Sequence, residues 1–387
     1  MRLVFITDYT EQFAFRLLKG ILDFSKQTEP WMVARMPTSH KRRIGMDGLV
    51  EWSKKWDVDA IIGQFDPEDD ISLLLQNGIV AIAQDHVRKF REIPNITADY
   101  EGTGAMAAKL FISRGYQNFA FFGHKGLCWS EDRRKGFVRE LRNSGYKNIF
   151  LSELDPDEDF WEINYQSVIR WIQKLPKPIG VMCCDDNQGN ILLELCKING
   201  TKVPAEVAVI GVDNDEILCN MTDPPLSSIN IDIERGGYEA AALAYRMVRE
   251  RKFEGEDIVL KPISIIPRTS SNVYATKDNL VHAALAYIEA NANHKITVGD
   301  VVKAVPASRR LLEQRFLKET GQTIFGFITN VRINRFARML IETKDTISEI
   351  AARLDEPDTK SISRRFQAIK GCTPSEFRKQ HLRKLGA

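Results

Sequence analysis

RRLLEQRFLKETGQT occupies residues 309–323, and SISRRFQAIKGCTP occupies residues 361–374. Each stretch holds a Phe (Phe316, Phe366), then four residues, a Gly (Gly321, Gly371), one residue and a Thr (Thr323, Thr373). The echo extends upstream. TVGDVVKAV (297–305) returns 49 residues later as TISEIAARL (346–354), each opening on a Thr suited to cap a helix. Leu312 with Phe316, and Ile362 with Phe366, stand at i, i+4, the spacing of a buried helix face. Ser308, Arg309, Arg310, Glu313 and Gln314 fall mainly off that face in the first copy. Thr359, Lys360, Ser361, Ser363 and Arg364 do so in the second. Two short helices with a tight turn, the second exposing Arg, Gln and Ser, form a helix-turn-helix, and this chain carries the unit twice. Arg reads guanine and Gln reads adenine in the major groove, so these ten residues are the candidates for DNA contact. One such helix alone is better read as a solvated charged face; duplication and the charge distribution favour DNA.

That distribution is uneven. Residues 280–387 hold 19 Lys/Arg against 11 Asp/Glu, a net +8. The remainder holds 35 against 41, a net −6, so the overall +2 conceals a basic end on a mildly acidic body. A basic domain of this size points to a polyanion partner. Within it, LVHAALAYIEANANH (280–294) reads as a helix with residues 281, 284, 285 and 288 on one face. IFGFITNVRINRFARMLIET (324–343) reads as a long helix joining the two units. TSSNVYATKDN (269–279) is polar and aperiodic, a linker.

Residues 1–268 follow another rhythm. RLVFIT (2–7), WMVARMP (31–37), AIIGQF (60–65), GIVAIAQ (78–84), NFAFFG (118–123), IGVMCC (179–184) and VAVIGV (207–212) alternate with helical stretches. This predicts parallel sheets with helices on both faces, in two lobes rather than one. Ligands of such sheets sit at the carboxyl ends of the strands. Asp8, Asp99, Asp185 and Asp213 stand at those ends, with helix capping as the competing explanation for each.

Two resemblances follow from these residues. ITADYEGTGAMAAKLFISRGYQNFAFFG, RRKGF, CCDDNQGNILLELCKINGTKVPAEVAVIGVDNDE and DPPLSSINID resemble, in order and spacing, the LacI/periplasmic-binding-type effector domain over about 260 residues. The resemblance implies two Rossmann-like lobes joined by crossing strands, with a small sugar in the cleft. It places Asp213, Asp185 and Arg133 at effector-contacting positions and Trp161 where an aromatic can stack on a sugar ring. LacI proteins begin with a small helix-turn-helix; this chain begins at the first strand, so DNA binding is expected elsewhere. Ser308, Leu312, Phe316, Gly321, VRINRFARMLIET (331–343), ISEIA (347–351), Phe366 and GCTPSEFR (371–378) resemble the AraC-family DNA-binding domain over about 105 residues. That resemblance implies two recognition helices set about 34 Å apart on one DNA face. Where the family has Gly-Phe in the second turn, this chain has Asp355 and Glu356, and Ile362 replaces a usual Phe. Acidic residues near phosphates weaken binding, so the second reading helix is expected to contribute less.

The expected architecture is an α/β effector-binding domain (1–268), a linker (269–279) and an all-α DNA-binding domain with two helix-turn-helix units (280–387). The combination implies a transcription regulator controlled by a small sugar, a pentose such as xylose foremost, acting as a homodimer on operator DNA. The alternatives are a sugar-binding protein or a carbohydrate-metabolising enzyme without DNA regulation. P-loop, G-x-S-x-G, G-x-G-x-x-G and H-E-x-x-H motifs are absent and the six His are scattered, so neither a catalytic site nor a cofactor is expected. The N-terminus lacks a signal-peptide core and no apolar run reaches about 18 residues, so a cytoplasmic protein without a membrane span is expected. The six Cys lack metal-ligand spacing and read as free thiols.

Overall fold

The computed structural model describes residues 1–8, 12–154, 165–272, 274–276, 278–343, 345–356 and 358–382. The chain divides into two compact units, residues 1–109 with 118–272, and residues 110–117 with 273–387.

The first unit opens with β1 (Arg2–Thr7), α1 (Gln12–Gln27), β2 (Met32–Pro37), α2 (Thr38–Lys55), β3 (Ala60–Gln64), α3 (Ser72–Gln76), β4 (Val80–Gln84) and β5 (Asn95–Ala98). It continues with α4 (Tyr100–Ser113), of which residues 110–113 belong to the second unit, and with β6 (Phe119–His124), α5 (Cys128–Asn143), β7 (Ile149–Leu154), α6 (Tyr165–Lys174), β8 (Ile179–Cys183), α7 (Asp186–Ile198), β9 (Val207–Val212), α8 (Glu216–Met221) and β10 (Ser227–Ile231). It closes with α9 (Ile233–Glu250), β11 (Ile258–Leu260), β12 (Pro262–Ile266) and a 3₁₀ turn at Thr269–Ser271.

Two six-stranded sheets result, ordered β11-β5-β4-β3-β1-β2 and β12-β10-β9-β8-β6-β7. The first is parallel throughout; in the second, β12 runs antiparallel to β10 at the edge. Residues 3–7 of β1 and all of β8 and β9 are buried, which is why they read as unbroken apolar runs. The chain passes between the sheets through α4, again through α9, and again between β11 and β12. Helices α1 and α9 touch backbone to backbone. A Cβ on Gly20 would lie 1.8 Å from the Glu234 carbonyl oxygen, and one on Gly237 would lie 2.0 Å from that of Leu17. Only glycine permits this approach.

The second unit contains α10 (Asn279–Ala290), α11 (Val298–Ala304), α12 (Arg309–Thr320), α13 (Ile324–Glu342), α14 (Ile347–Arg353), α15 (Thr359–Lys370) and α16 (Pro374–Leu382). It has two apolar cores. Val281, Leu285, Val301, Leu312 and Phe316 build the first with Ile324, Phe327 and Ile328. Ile350, Leu354, Ile362 and Phe366 build the second with Ile333, Phe336 and Leu340. Helix α13 thus serves one core with its first half and the other with its second. The sequence echo has a local cause. Phe316 and Phe366 are core plugs; Gly321 (φ 68°) and Gly371 (φ 75°) end their helices in the left-handed region. Thr323 then caps α13, and Thr373 exchanges hydrogen bonds with Glu376 at the start of α16. Thr297 with Asp300, and Thr346 with Glu349, form reciprocal capping boxes on α11 and α14. Among the described residues no helix is long and apolar enough to cross a membrane.

Candidate effector cleft and nucleic-acid interface

The carboxyl ends of the strands of both sheets converge on a polar network. Arg133, on α5, is buried, and its side chain is 4% exposed. Its Nη2 donates to Asp213 Oδ1 at 3.0 Å and its Nη1 to the Cys184 carbonyl at 2.5 Å. The guanidinium carbon lies 5.4 Å from the ring centroids of both Tyr100 and Trp129, which supply cation–π attraction. Burial works hardest against the Arg133 charge, but Asp213, Tyr100, Cys184 and Asp185 together outweigh it and raise the guanidinium's proton affinity. Asp213 follows β9 in a backbone of positive φ (94°), as does Asn214 (53°). Its amide donates to Ile229 O, and its carbonyl accepts from Arg16 Nη1 at 2.7 Å. Arg16, on α1, also grips Glu234, Asn230 and the Ile231 carbonyl, tying one lobe's first helix to the other lobe's strand end.

From the first sheet, Asp85 follows β4, is buried, and accepts from the Tyr100 hydroxyl at 2.6 Å. Its other oxygen, Oδ2, has no hydrogen-bond partner; the nearby Thr97 hydroxyl is not in bonding geometry. Burial raises the Asp85 pKa and, with Asp85 as neighbour, raises that of Tyr100. Buried Gln188 presents a free Oε1 while its Nε2 meets His124 Nε2 at 2.8 Å. The lobes also touch directly, through the amide of Cys128 donating to His86 O at 3.1 Å.

The sequence candidates distribute as follows. Arg133 and Asp213 meet in an ion pair. Asp185 lies close enough for Asp213 to raise its pKa and Arg133 to lower it, but it also caps α7, accepting from Gln188 N at 2.7 Å. Burial is the main cause that brings its pKa to about 6. Asp99 is exposed and accepts from the Gly102 amide at 2.8 Å near the start of α4, the geometry of a cap. Asp8, exposed at the end of β1, sits in the field of Arg42. Arg42 with buried Lys41 pairs Asp66, whose pKa falls to about 2 because these hydrogen bonds overcome its burial. Trp161 lies outside the described residues. Asp85, Gln188 and Arg16 were not among the sequence candidates. Asp85 carried the same mark as Asp8, an Asp directly after an apolar strand.

In the second unit, Ser308 caps α12 and Asp358 caps α15. Arg309 and Glu313 pair with each other at 2.9 Å. Arg310 and Gln314, exposed one turn apart, bind nothing among the described residues. Fifty residues on, Lys360 and Arg364 occupy the same positions, exposed and likewise unengaged. Ser361 is taken by Arg365 at 3.0 Å, and Thr359 and Ser363 are partly buried. Glu356, expected near phosphates, is instead buried and paired with Arg365 (2.9 Å) and Arg332 (3.4 Å). Asp355 takes a left-handed backbone (φ 50°) and pairs with His294 at 2.8 Å.

Comparison with known proteins agrees with this division. The periplasmic binding protein-like domain family matches residues 108–271, and a helix-turn-helix domain family matches residues 301–380. The chain is 30% identical over 330 residues to the xylose operon regulatory protein of Haemophilus influenzae, covering 83% of this chain and 85% of that protein. It is 26% identical over 336 residues to the xylose operon regulatory protein of Escherichia coli K12, covering 84% and 85%. A solved xylose-binding transcription activator superposes over 98% of both chains with a TM-score of 0.60 at 23% identity. A LacI family regulator from Enterococcus faecium with bound ribose superposes over 71% of this chain and all of its own, with a TM-score of 0.58 at 18% identity. These relatives are regulators rather than enzymes. The chain belongs to the family of the xylose operon regulatory proteins and is a DNA-binding transcription regulator that joins a periplasmic-binding-like sensing domain to an AraC-type helix-turn-helix domain.

Proposed function

We propose that a pentose, D-xylose foremost, binds between the two lobes of the first unit and controls DNA binding by the second. The observation that supports this reading is the set of buried Arg133, Asp85 and Gln188 with the partly buried Asp213. One charge pair is already formed, and two buried acceptors, Asp85 Oδ2 and Gln188 Oε1, lack donors. Buried polar atoms without partners are costly, and a polyhydroxylated ring supplies the missing donors. Carboxylates accept sugar hydroxyl protons and the guanidinium donates to sugar oxygens. In this reading Asp213, Arg133 and Asp185 contact the sugar from one lobe, Asp85, Asp8 and Asp99 line the other, and Trp161 stacks on the ring. Naming xylose rests on the relatives, three of which carry it in their names.

On the DNA side, Arg310 and Gln314 of α12 read bases, with Ser308, Arg309 and Glu313 around them. Lys360 and Arg364 of α15 do so in the second unit, flanked by Thr359, Ser361 and Ser363. The sensing domain spans residues 1–268, a linker 269–279 and the DNA-binding domain 280–387. The protein acts in the cytoplasm, as a homodimer on paired operator sites. Calorimetric titration with D-xylose, D-ribose, D-glucose and D-glucuronate tests the effector. Saturable heat with D-xylose, at an affinity about tenfold to a hundredfold lower in Asp213→Asn, is expected. Heat with none of the four, or heat indifferent to Asp213, would overturn the assignment.

A further inference from the structure

The second turn departs from the AraC pattern by placing an acid where an apolar residue is usual, and the structure shows what that acid does. Glu356 is 4% exposed. Its Oε2 meets Arg365 of α15 at 2.9 Å and Arg332 of α13 at 3.4 Å, and its Oε1 lies 4.0 Å from Lys295. Arg332 donates in turn to the carbonyls of His294 and, at 2.6 Å, Leu354. The Glu356 amide donates to Ala351 O at 2.9 Å. Next to it, the left-handed Asp355 reaches His294 in the segment between α10 and α11. One buried carboxylate thus joins three segments: the loop before the first helix-turn-helix, the linking helix, and the second reading helix.

The apolar contacts of α15 do not supply this. Ile362 and Phe366 seat the helix in its core, with Phe366 edge-on to Phe336 at 5.6 Å. Such contacts are non-directional and tolerate rotation of the helix about its own axis. Charge-assisted hydrogen bonds are directional. Arg365 immediately follows Arg364, so a bond that fixes Arg365 also fixes the rotation at which Lys360 and Arg364 face outward.

We propose that Glu356 is a positioning residue for DNA reading. It sets the rotation of α15 against α13 and the first helix-turn-helix, and so decides whether the second half of the DNA site is read. The acid therefore serves the second reading helix instead of repelling DNA. This inference rests on α12 and α15 being the reading helices.

The test uses the full chain and a 40-base-pair duplex selected by the wild type from a random-sequence pool, with derivatives in which either half is scrambled. The half that no longer matters to Arg310→Ala/Gln314→Ala belongs to α12. Glu356→Gln keeps shape but loses charge. It should reduce preference for the intact α15 half over the scrambled one about tenfold, the loss of roughly one base-pair contact. Preference at the α12 half should be unchanged. Should Glu356→Gln fail to fold, Glu356→Leu/Arg332→Met replaces a buried pair with apolar groups, a change proteins often tolerate, and is read in the same way. Wild-type preference at both halves in the folded variant, or equal loss at both, overturns the positioning role. A wild type indifferent to both halves would instead strike at the assignment of the reading helices.

Discussion

Replacing Asp213 probes both the stability and the chemistry of the cleft. Arg133 is buried, and among the described residues Asp213 is its one ion-pair partner. Asp213→Ala strands a buried cation against the Cys184 carbonyl and two aromatic faces, which costs about 3–5 kcal/mol. It also places Ala at φ 94°, adding about 1 kcal/mol of strain. For a domain of this size, each kcal/mol moves the melting temperature by about 2–4 °C, so a fall of about 8–24 °C is expected. Asp213→Asn keeps an acceptor for Arg133 and tolerates the left-handed region, so it should cost about 1–2 kcal/mol. Both variants lose the charged acceptor for sugar hydroxyls, and pentose affinity should fall about tenfold to a hundredfold. The double change Arg133→Met/Asp213→Leu removes the pair together and should melt nearer the wild type than Asp213→Ala, yet bind no pentose. Scanning calorimetry and isothermal titration read the two effects separately. An Asp213→Ala variant that melts with the wild type would show that the buried pair is not energetically coupled. Wild-type pentose affinity in Asp213→Asn would show that this carboxylate does not touch the effector.

Three further outcomes are expected. Arg310→Ala and Gln314→Ala should each weaken binding to the selected duplex by roughly 1–3 kcal/mol while leaving binding to random duplex nearly unchanged; equal losses on both would show phosphate contact only. A fragment spanning residues 277–387 contains both cores and should bind duplex without sugar, with affinity falling steeply as salt rises; a folded fragment without salt-dependent binding contradicts this. Burial lifts the Asp185 pKa from 3.8 to about 6, so its favourable contribution is complete below 3.8 and is lost as pH rises through 6. Asp185→Asn, neutral throughout and an equally good cap, should match the wild type near pH 4 and exceed it by up to about 3 kcal/mol at pH 7. A stability difference that stays flat between these pH values refutes that burial.

How much of this was legible in sequence depended on how local the cause was. The two helix-turn-helix units were readable because Thr297, Ser308, Gly321 and Thr323 act on neighbours within a turn, and their counterparts repeat the pattern. The parallel strands were readable because burial on both faces removes polar residues from β1, β8 and β9. Edge strands such as β7 and β11, half exposed or short, gave weaker patterns. Glu356 was misjudged because its partners Lys295 and Arg332 lie far upstream, and only the tertiary fold neutralises its charge. Asp85 shares with Asp8 the mark of an Asp after an apolar strand, but its hydrogen bond from Tyr100 and the field of Arg133 arise only when α4 and the other lobe are brought to it. Asp99 could be read from sequence as a cleft residue or a helix cap, and its hydrogen bond from the Gly102 amide has the geometry of the cap.

The central claim, that a sugar in the cleft governs DNA binding, is tested most directly by linkage. The affinity of the full chain for the selected duplex is measured by fluorescence anisotropy with and without saturating D-xylose, and the affinity for D-xylose is measured with and without duplex. Coupling of about 1–3 kcal/mol, a shift of roughly fivefold or more, should appear with equal size in both directions, and Asp213→Asn should need about tenfold to a hundredfold more D-xylose to show it. Duplex isotherms that superimpose with and without bound D-xylose would contradict it.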